Sequence, residues 1–200
     1  SGSSFALVQP SPATDPNVAV NTAQQLRLRW VEGSVPQNGQ AITLSSTRGT
    51  ITPASGNVTN AQGELTATIQ SSSAGEAIVQ ASAAGGTPST TLRFVFVTTS
   101  ASSVNIQADR TTVAVNTSGA DTNRATVTAI VRDSANNLVK DARVQFQIAQ
   151  DVTGGRLSGT EDITDVSGSA TVDYIAGTTS SSNQGVVIKA TVVDVGGSVP

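Results

Sequence analysis

The sequence predicts an all-β chain of two β-sandwich domains in tandem, with essentially no helix. Three observations carry that prediction. Val18-Ala19-Val20-Asn21-Thr22 recurs letter for letter as Val113-Ala114-Val115-Asn116-Thr117, 95 residues further on (113 less 18). Apolar and polar residues alternate over short stretches, the pattern of a strand with one buried face. Turn-forming residues return roughly every 8–12 residues, and no stretch shows a capped 3.6-residue period, which together mark a sandwich of short strands. A repeat that divides 200 residues near the middle gives two domains of about 100 residues, a common domain size. The boundaries read as 1–98 and 99–200.

The elements can be followed in order through both copies. Ser4-Phe5-Ala6-Leu7-Val8 matches Ser103-Val104-Asn105-Ile106-Gln107 as a first strand. After the Val-Ala-Val-Asn-Thr segment come the alternating strands Leu26-Arg27-Leu28-Arg29-Trp30 and Val127-Thr128-Ala129-Ile130-Val131. Trp30 stands where Val131 stands in the other copy and reads as core, while Arg27 and Arg29 fall on the wet face. Gly33, Pro36, Asn38 and Gly39 then reverse the first copy, and Asn136-Asn137 the second, because Gly and Asn take positive φ cheaply. Ile42-Thr43-Leu44 and Val144-Gln145-Phe146 follow, then Gly49-Thr50-Ile51 and Gly155-Arg156-Leu157.

Next comes Thr-(Asn/Asp)-x-x-Gly, as Thr59-Asn60-Ala61-Gln62-Gly63 and Thr164-Asp165-Val166-Ser167-Gly168, each leading into an alternating strand. The Asn or Asp side chain can bond backbone two residues on, and the Gly supplies a left-handed closing position. In that strand Tyr174 aligns with Ile69, its ring in the core and its hydroxyl at the rim. Ala77-Ile78-Val79-Gln80-Ala81 and Val186-Val187-Ile188-Lys189-Ala190 complete the correspondence. The copies then diverge. After Gly85-Gly86-Thr87-Pro88 the first continues into Thr91-Leu92-Arg93-Phe94-Val95-Phe96-Val97, a closing strand, whereas the second reaches Gly196-Gly197-Ser198-Val199-Pro200. The second domain is therefore expected to lack its final strand, either because the chain is a fragment or because another segment fills the place.

Composition narrows the function classes. Charged residues are 12% of the chain, about half the ~25% of an average globular protein. Net charge is −3 with only 11 Lys plus Arg, scattered singly, so nucleic acid is not an expected partner. No apolar run approaches the ~20 residues of a membrane helix, so this segment is not expected to insert directly into a bilayer. With no Cys and no His, disulfides, thiolate metal sites and the commonest catalytic bases and nucleophiles are gone.

In the order and spacing of these motifs the chain resembles the bacterial Ig-like repeats of the intimin/invasin type, group 1. The second copy carries the resemblance best: Asp133 with Asn136-Asn137, then Val144-Gln145-Phe146, then Thr164 to Val172, then Gly185 leading to Ile188-Lys189-Ala190. In the first copy Glu32 stands for the acidic turn residue and Leu44 for the Phe. The resemblance implies Ig-like sandwiches of Greek-key type at the bacterial cell surface or outside the cell, anchored in the outer membrane through a segment outside this chain. It implies a non-catalytic adhesin-stalk module that spaces or presents a distal domain. The alternative is a binding module that recognises a host or surface protein, or a glycan, through loops or an open edge strand. Neighbouring Ig-like repeats or another surface protein are the expected partners, and no cofactor is expected.

Candidate chemical groups remain to be placed. Glu161, Asp162 and Asp165 are carboxylates close in sequence near a turn, which read as solvated loop groups and not as an acid/base pair. Asp133, Asn136, Asn137 and Asp141 offer oxygen ligands of the kind Ca²⁺ takes, as do Asp109, Asp121 and Asn123 near the junction. No Asp-x-(Asp/Asn)-x-(Asp/Asn)-Gly loop accompanies them, and Asn and Asp are ordinary turn residues. No catalytic residue and no metal site are expected. Asn57-Val58-Thr59 and Asn116-Thr117-Ser118 also match the glycan acceptor pattern.

Overall fold

The structure is a computed structural model that describes residues 2–11 and 16–196. The closing Gly197-Ser198-Val199-Pro200 lies outside the described residues. Contacts divide the chain into two compact units, the first running to Val97 and the second starting at Thr98. Every regular element among the described residues is a strand.

The first unit holds β1 (Ser4–Gln9), β2 (Asn17–Ala19), β3 (Gln24–Glu32), β4 (Val35–Pro36), β5 (Ile42–Ser46), β6 (Thr50–Pro53), β7 (Glu64–Gln70), β8 (Gly75–Ala83) and β9 (Ser89–Val97). One sheet runs β1-β3-β7-β6, with β4 folded back on β3, and the other runs β2-β9-β8-β5. All pairings are antiparallel except β2 with β9, which is parallel. The alternation seen in sequence is the burial pattern. Leu26, Leu28 and Trp30 of β3 face Ala77, Val79 and Ala81 of β8 within one core, and Leu92, Phe94 and Phe96 of β9 complete it. Trp30 is buried against the edge of Phe5, with ring centroids 5.3 Å apart, and its Nε1–H donates to Glu32 at 3.1 Å. Phe94 and Phe96 form a second edge-to-face pair at 5.3 Å. These geometries suit the ring quadrupole.

The second unit holds β10 (Ser103–Ala108), β11 (Arg124–Arg132), β12 (Ala142–Asp151), β13 (Arg156–Leu157), β14 (Glu161–Ile163), β15 (Ser169–Ile175) and β16 (Val186–Val195). Its first sheet, β10-β11-β15-β13, repeats β1-β3-β7-β6 strand for strand. Its second sheet is β14-β12-β16. Here β12 and β16 take the places of β5 and β8, since Phe146 pairs with Ala190 as Leu44 pairs with Ala81. Among the described residues nothing pairs with the other edge of β16, the place that β9 occupies in the first unit.

Two local differences separate the copies. The second Val-Ala-Val-Asn-Thr segment is not a strand, although the first contains most of β2. The reason is the partner: β2 exists by pairing with β9, and among the described residues no such strand stands beside Val113. The acidic turn residues also do different work. Asp133 closes its own turn, whereas after Glu32 the chain forms the tight β3–β4 hairpin and Glu32 bonds Trp30 instead.

Candidate functional site

The Thr-(Asn/Asp)-x-x-Gly segments fold identically in both units. Asn60 Oδ1 accepts from the backbone N–H groups of Gln62 (3.0 Å) and Glu64 (2.9 Å). Asp165 Oδ1 accepts from those of Ser167 (2.8 Å) and Ser169 (3.1 Å). Gly63 and Gly168 close the turns at φ 70° and 67°, and their carbonyls accept from the N–H of Trp30 and Val131. The Thr is the part that residue patterning did not reveal. Thr59 Oγ1 donates to the Gln37 carbonyl (2.6 Å) and accepts from Gln40 N–H (2.9 Å). Thr164 Oγ1 does the same with the Val139 carbonyl (2.6 Å) and Ala142 N–H (2.8 Å). Both threonines are buried, so each hydroxyl satisfies two backbone groups that have no ladder partner there. The only sequence signal for this latch was the recurrence of Thr before Asn/Asp.

The four oxygen-ligand candidates of the 133–141 loop are placed as turn residues. Asp133 Oδ1 accepts from the N–H groups of Ala135 (2.9 Å) and Asn137 (2.8 Å), and Oδ2 from the Asn137 side-chain amide (3.0 Å). Burial raises the Asp133 pKa. The Asn137 side chain and N–H, the Thr98 hydroxyl and the Ala135 N–H outweigh it, and the carboxyl is held below its ordinary range. Asn136 sits at φ 67° and its carbonyl accepts from Arg132; Asp141 sits at φ 60° and its carboxylate lies 3.4 Å from Lys140 Nζ. The second group is likewise engaged locally. Asp109 bonds Arg110 and Thr126 N–H, Asp121 pairs with Arg156, and Asn123 exchanges hydrogen bonds with Asn116. Among the described residues no three His, Cys, Asp or Glu side chains group as a metal site.

The carboxylates near residue 161 do not converge. Glu161 faces Arg143 at 3.6 Å, Asp162 accepts from Thr171 N–H at 2.7 Å, and Asp165 is the turn residue above. Asn116 is buried, with its amide on the carbonyls of Asn123 and Ala176 at 2.9 Å, and is closed to glycosylation. Arg27 and Arg29 lie on the outer face, Arg27 3.8 Å from Glu64.

A concavity of about 760 Å³ lies in the second unit between residues 110–115 and residues 179–188. Ala125, Val127 and Tyr174 line its apolar wall. Tyr174 is buried, and its hydroxyl donates to Asp151 Oδ2 (3.0 Å) beside Thr153 Oγ1 (2.8 Å). Burial raises the phenol pKa, with the Asp151 carboxylate adding to the shift against the opposing Thr153 bond. Burial also raises Asp151, but the Thr153 and Tyr174 hydroxyls with the N–H groups of Thr153 and Gly155 bring it below the usual range. This network pins the β12–β13 loop to the end of β15.

No family model matches the sequence, and no curated protein matches it. Solved structures do. InvD of Yersinia pseudotuberculosis superposes with a TM-score of 0.67 over 96% of this chain and 52% of that one, at 17% identity. The D0-D1 domain of intimin gives 0.40 over 96% and 92%, at 24% identity. The adhesin InvE of Yersinia pseudotuberculosis gives 0.43 over 95% and 55%, at 15% identity. The chain thus spans about half the length of the two Yersinia structures. The InvD superposition, together with the two repeated sandwiches, establishes a tandem Ig-like fold shared with InvD.

Proposed function

We propose that this chain is a non-catalytic structural module of a bacterial surface adhesin, one that spaces or presents a distal domain outside the cell. The observation that supports this most is the duplication of the Thr-(Asn/Asp)-x-x-Gly latch in two sandwiches of the same fold as InvD. In both copies these side chains hold loops to strands and are consumed by backbone partners. A unit whose polar residues serve its own closure suits repetition in series. The carboxylates of the 133–165 region are engaged in the same way, so none is poised for acid/base work. Anchoring belongs to a segment outside these residues.

The test is a replacement in the surface protein that carries this segment. Exchanging residues 2–196 for an unrelated two-sandwich segment of equal length should leave display and adhesion intact, while deleting them should lower both. Loss of adhesion on exchange, as deep as on deletion, would overturn the spacer reading in favour of recognition by these domains. A specific observation favours keeping that second reading: among the described residues one edge of β16 is unpaired, and its inward apolar residues are only partly buried.

A further inference from the structure

The two threonine latches hold the same loop geometry around different residues. In the first unit Thr59 Oγ1 grips the Gln37 carbonyl and the Gln40 N–H, and the Gly39 N–H donates to the Thr59 carbonyl at 2.8 Å. In the second Thr164 Oγ1 grips the Val139 carbonyl and the Ala142 N–H, and the Asp141 N–H donates to the Thr164 carbonyl at 2.9 Å. Gly39 and Asp141 occupy the same backbone position, at φ 67° and 60°. Between the gripped ends stand Asn38-Gly39 in one copy and Lys140-Asp141 in the other. Asn38-Gly39 is the one Asn-Gly step in the 200 residues, and both of its residues are exposed. Beyond its chain neighbours no atom lies within 4 Å of where a Gly39 Cβ would stand, so water reaches the step. An asparagine before glycine is a thermolabile pairing, because no Cβ hinders the approach of the next main-chain nitrogen to the side-chain amide.

We propose that Asn38 is a site of spontaneous deamidation that the Thr59 latch guards, and whose isoaspartyl product cannot close the latch again. The Gly39 nitrogen attacks Asn38 Cγ. The N–Cγ bond forms, the Cγ–Nδ2 bond breaks, and the Gly39 amide proton leaves with Nδ2 as ammonia. Water then adds to the cyclic imide. Opening at the Cγ carbonyl gives an aspartate side chain, and opening at the main-chain carbonyl gives isoaspartate, whose β-carbon joins the main chain. The latch opposes the first step. While the Gly39 N–H donates to the Thr59 carbonyl, its nitrogen keeps its proton and is turned towards Thr59. The Gln40 side-chain amide donates to the Asn38 carbonyl at 3.2 Å, so the Asn38–Gly39 peptide is held at both ends. Attack therefore waits for the loop to open locally. The product then bars the return. One hydroxyl grips the Gln37 carbonyl and the Gln40 N–H together across the intervening Asn38 and Gly39, and an extra main-chain carbon between them breaks that match. Lys140 has no side-chain carbonyl to attack, so the second latch keeps the geometry without the reactive step at that position. The proposal is independent of the spacer reading.

The whole chain is held at mildly alkaline pH and sampled over time by mass-spectrometric peptide mapping, beside a free synthetic peptide of residues 34–44. Expected is conversion of Asn38 ahead of every other asparagine, at a rate roughly tenfold or more below that of the peptide, since reaction draws only on the opened loop. Thr59→Val removes the grip and should speed Asn38 conversion at least about fivefold, whereas Thr59→Ser stays near the unaltered chain. The isoaspartyl form, separated from the aspartyl one, should exchange its Gln40 amide roughly tenfold faster, with the Ala142 amide unchanged. That measurement needs no variant, so it stands even where Thr59→Val unfolds. Equal rates in chain and peptide overturn the guard, as do equal rates in Thr59→Val and the unaltered chain. An isoaspartyl form whose Gln40 amide exchanges no faster overturns the loss of the latch. Asn38 intact after full conversion of the peptide, in the chain and in Thr59→Val alike, overturns the site itself.

Discussion

At the residue scale the two latches make sharp demands on single side chains. Gly63 and Gly168 sit at positive φ, where an L-residue costs about 1–2 kcal/mol. A Cβ at Gly63 would stand 2.2 Å from the Trp30 carbonyl oxygen, and one at Gly168 2.9 Å from that of Val131. Gly63→Ala should therefore destabilise more than Gly168→Ala, both beyond the bare φ penalty, in chemical denaturation followed by circular dichroism; equal and small losses would refute the clash. The threonines are tested differently. Thr164→Val keeps the shape and orphans the Val139 carbonyl and the Ala142 N–H, each worth about 1–3 kcal/mol when buried and unpaired. Thr164→Ser keeps the hydroxyl and should cost clearly less. If the Val and Ser variants unfold at the same denaturant concentration, the hydroxyl is not the latch.

At the element scale the turn around Asp133 shows both what sequence conveys and where it stops. Alternation placed β3, β7, β11 and β15 correctly because period two is a direct record of which face is buried. The Asn/Asp-to-Gly turns were legible for the same reason: their geometry is local, set within five residues. The threonine latch was not legible, because its partners lie 22 and 25 residues away along the chain. Nor was the difference at β2 in the second copy, where identical letters lack, among the described residues, the long-range partner that makes them a strand. Asp133 and Glu32 look alike as acidic turn residues, yet Asp133 caps its own turn while Glu32, entering the tight β3–β4 hairpin, accepts from the Trp30 indole, a ring the second copy lacks at Val131. Asp133→Asn places an amide N–H2 against the Asn137 amide donors, or gives up an acceptor if it rotates. It should cost about 1–2 kcal/mol at neutral pH, whereas Glu32→Gln should be near neutral; thermal melts of both variants at pH 7 decide it.

At the scale of the whole molecule the same local bonds set how stability depends on pH. Asp109, Asp133, Asp151 and Asp165 are all held below their ordinary range, Asp165 first by the Ser167 hydroxyl and then by the Ser169 N–H. A group depressed in the folded state binds its proton later there than in the unfolded chain. Its contribution is complete above the unfolded value, about 3.9 for Asp, and drains away as pH falls through the folded one. Tyr174 moves oppositely: its raised pKa makes its contribution complete below about pH 10 and lost above it. With no His in the chain, no side chain titrates near neutrality unless strongly perturbed. The melting temperature should therefore be flat from about pH 5 to 8, fall below about pH 4, and fall again above about pH 10. Asp151 and Tyr174 share one hydrogen bond, so Tyr174→Phe should blunt the acid arm as well as abolish the alkaline one. A melting temperature that steps between pH 5.5 and 7.5, or an acid arm unaltered in Tyr174→Phe, would contradict this account.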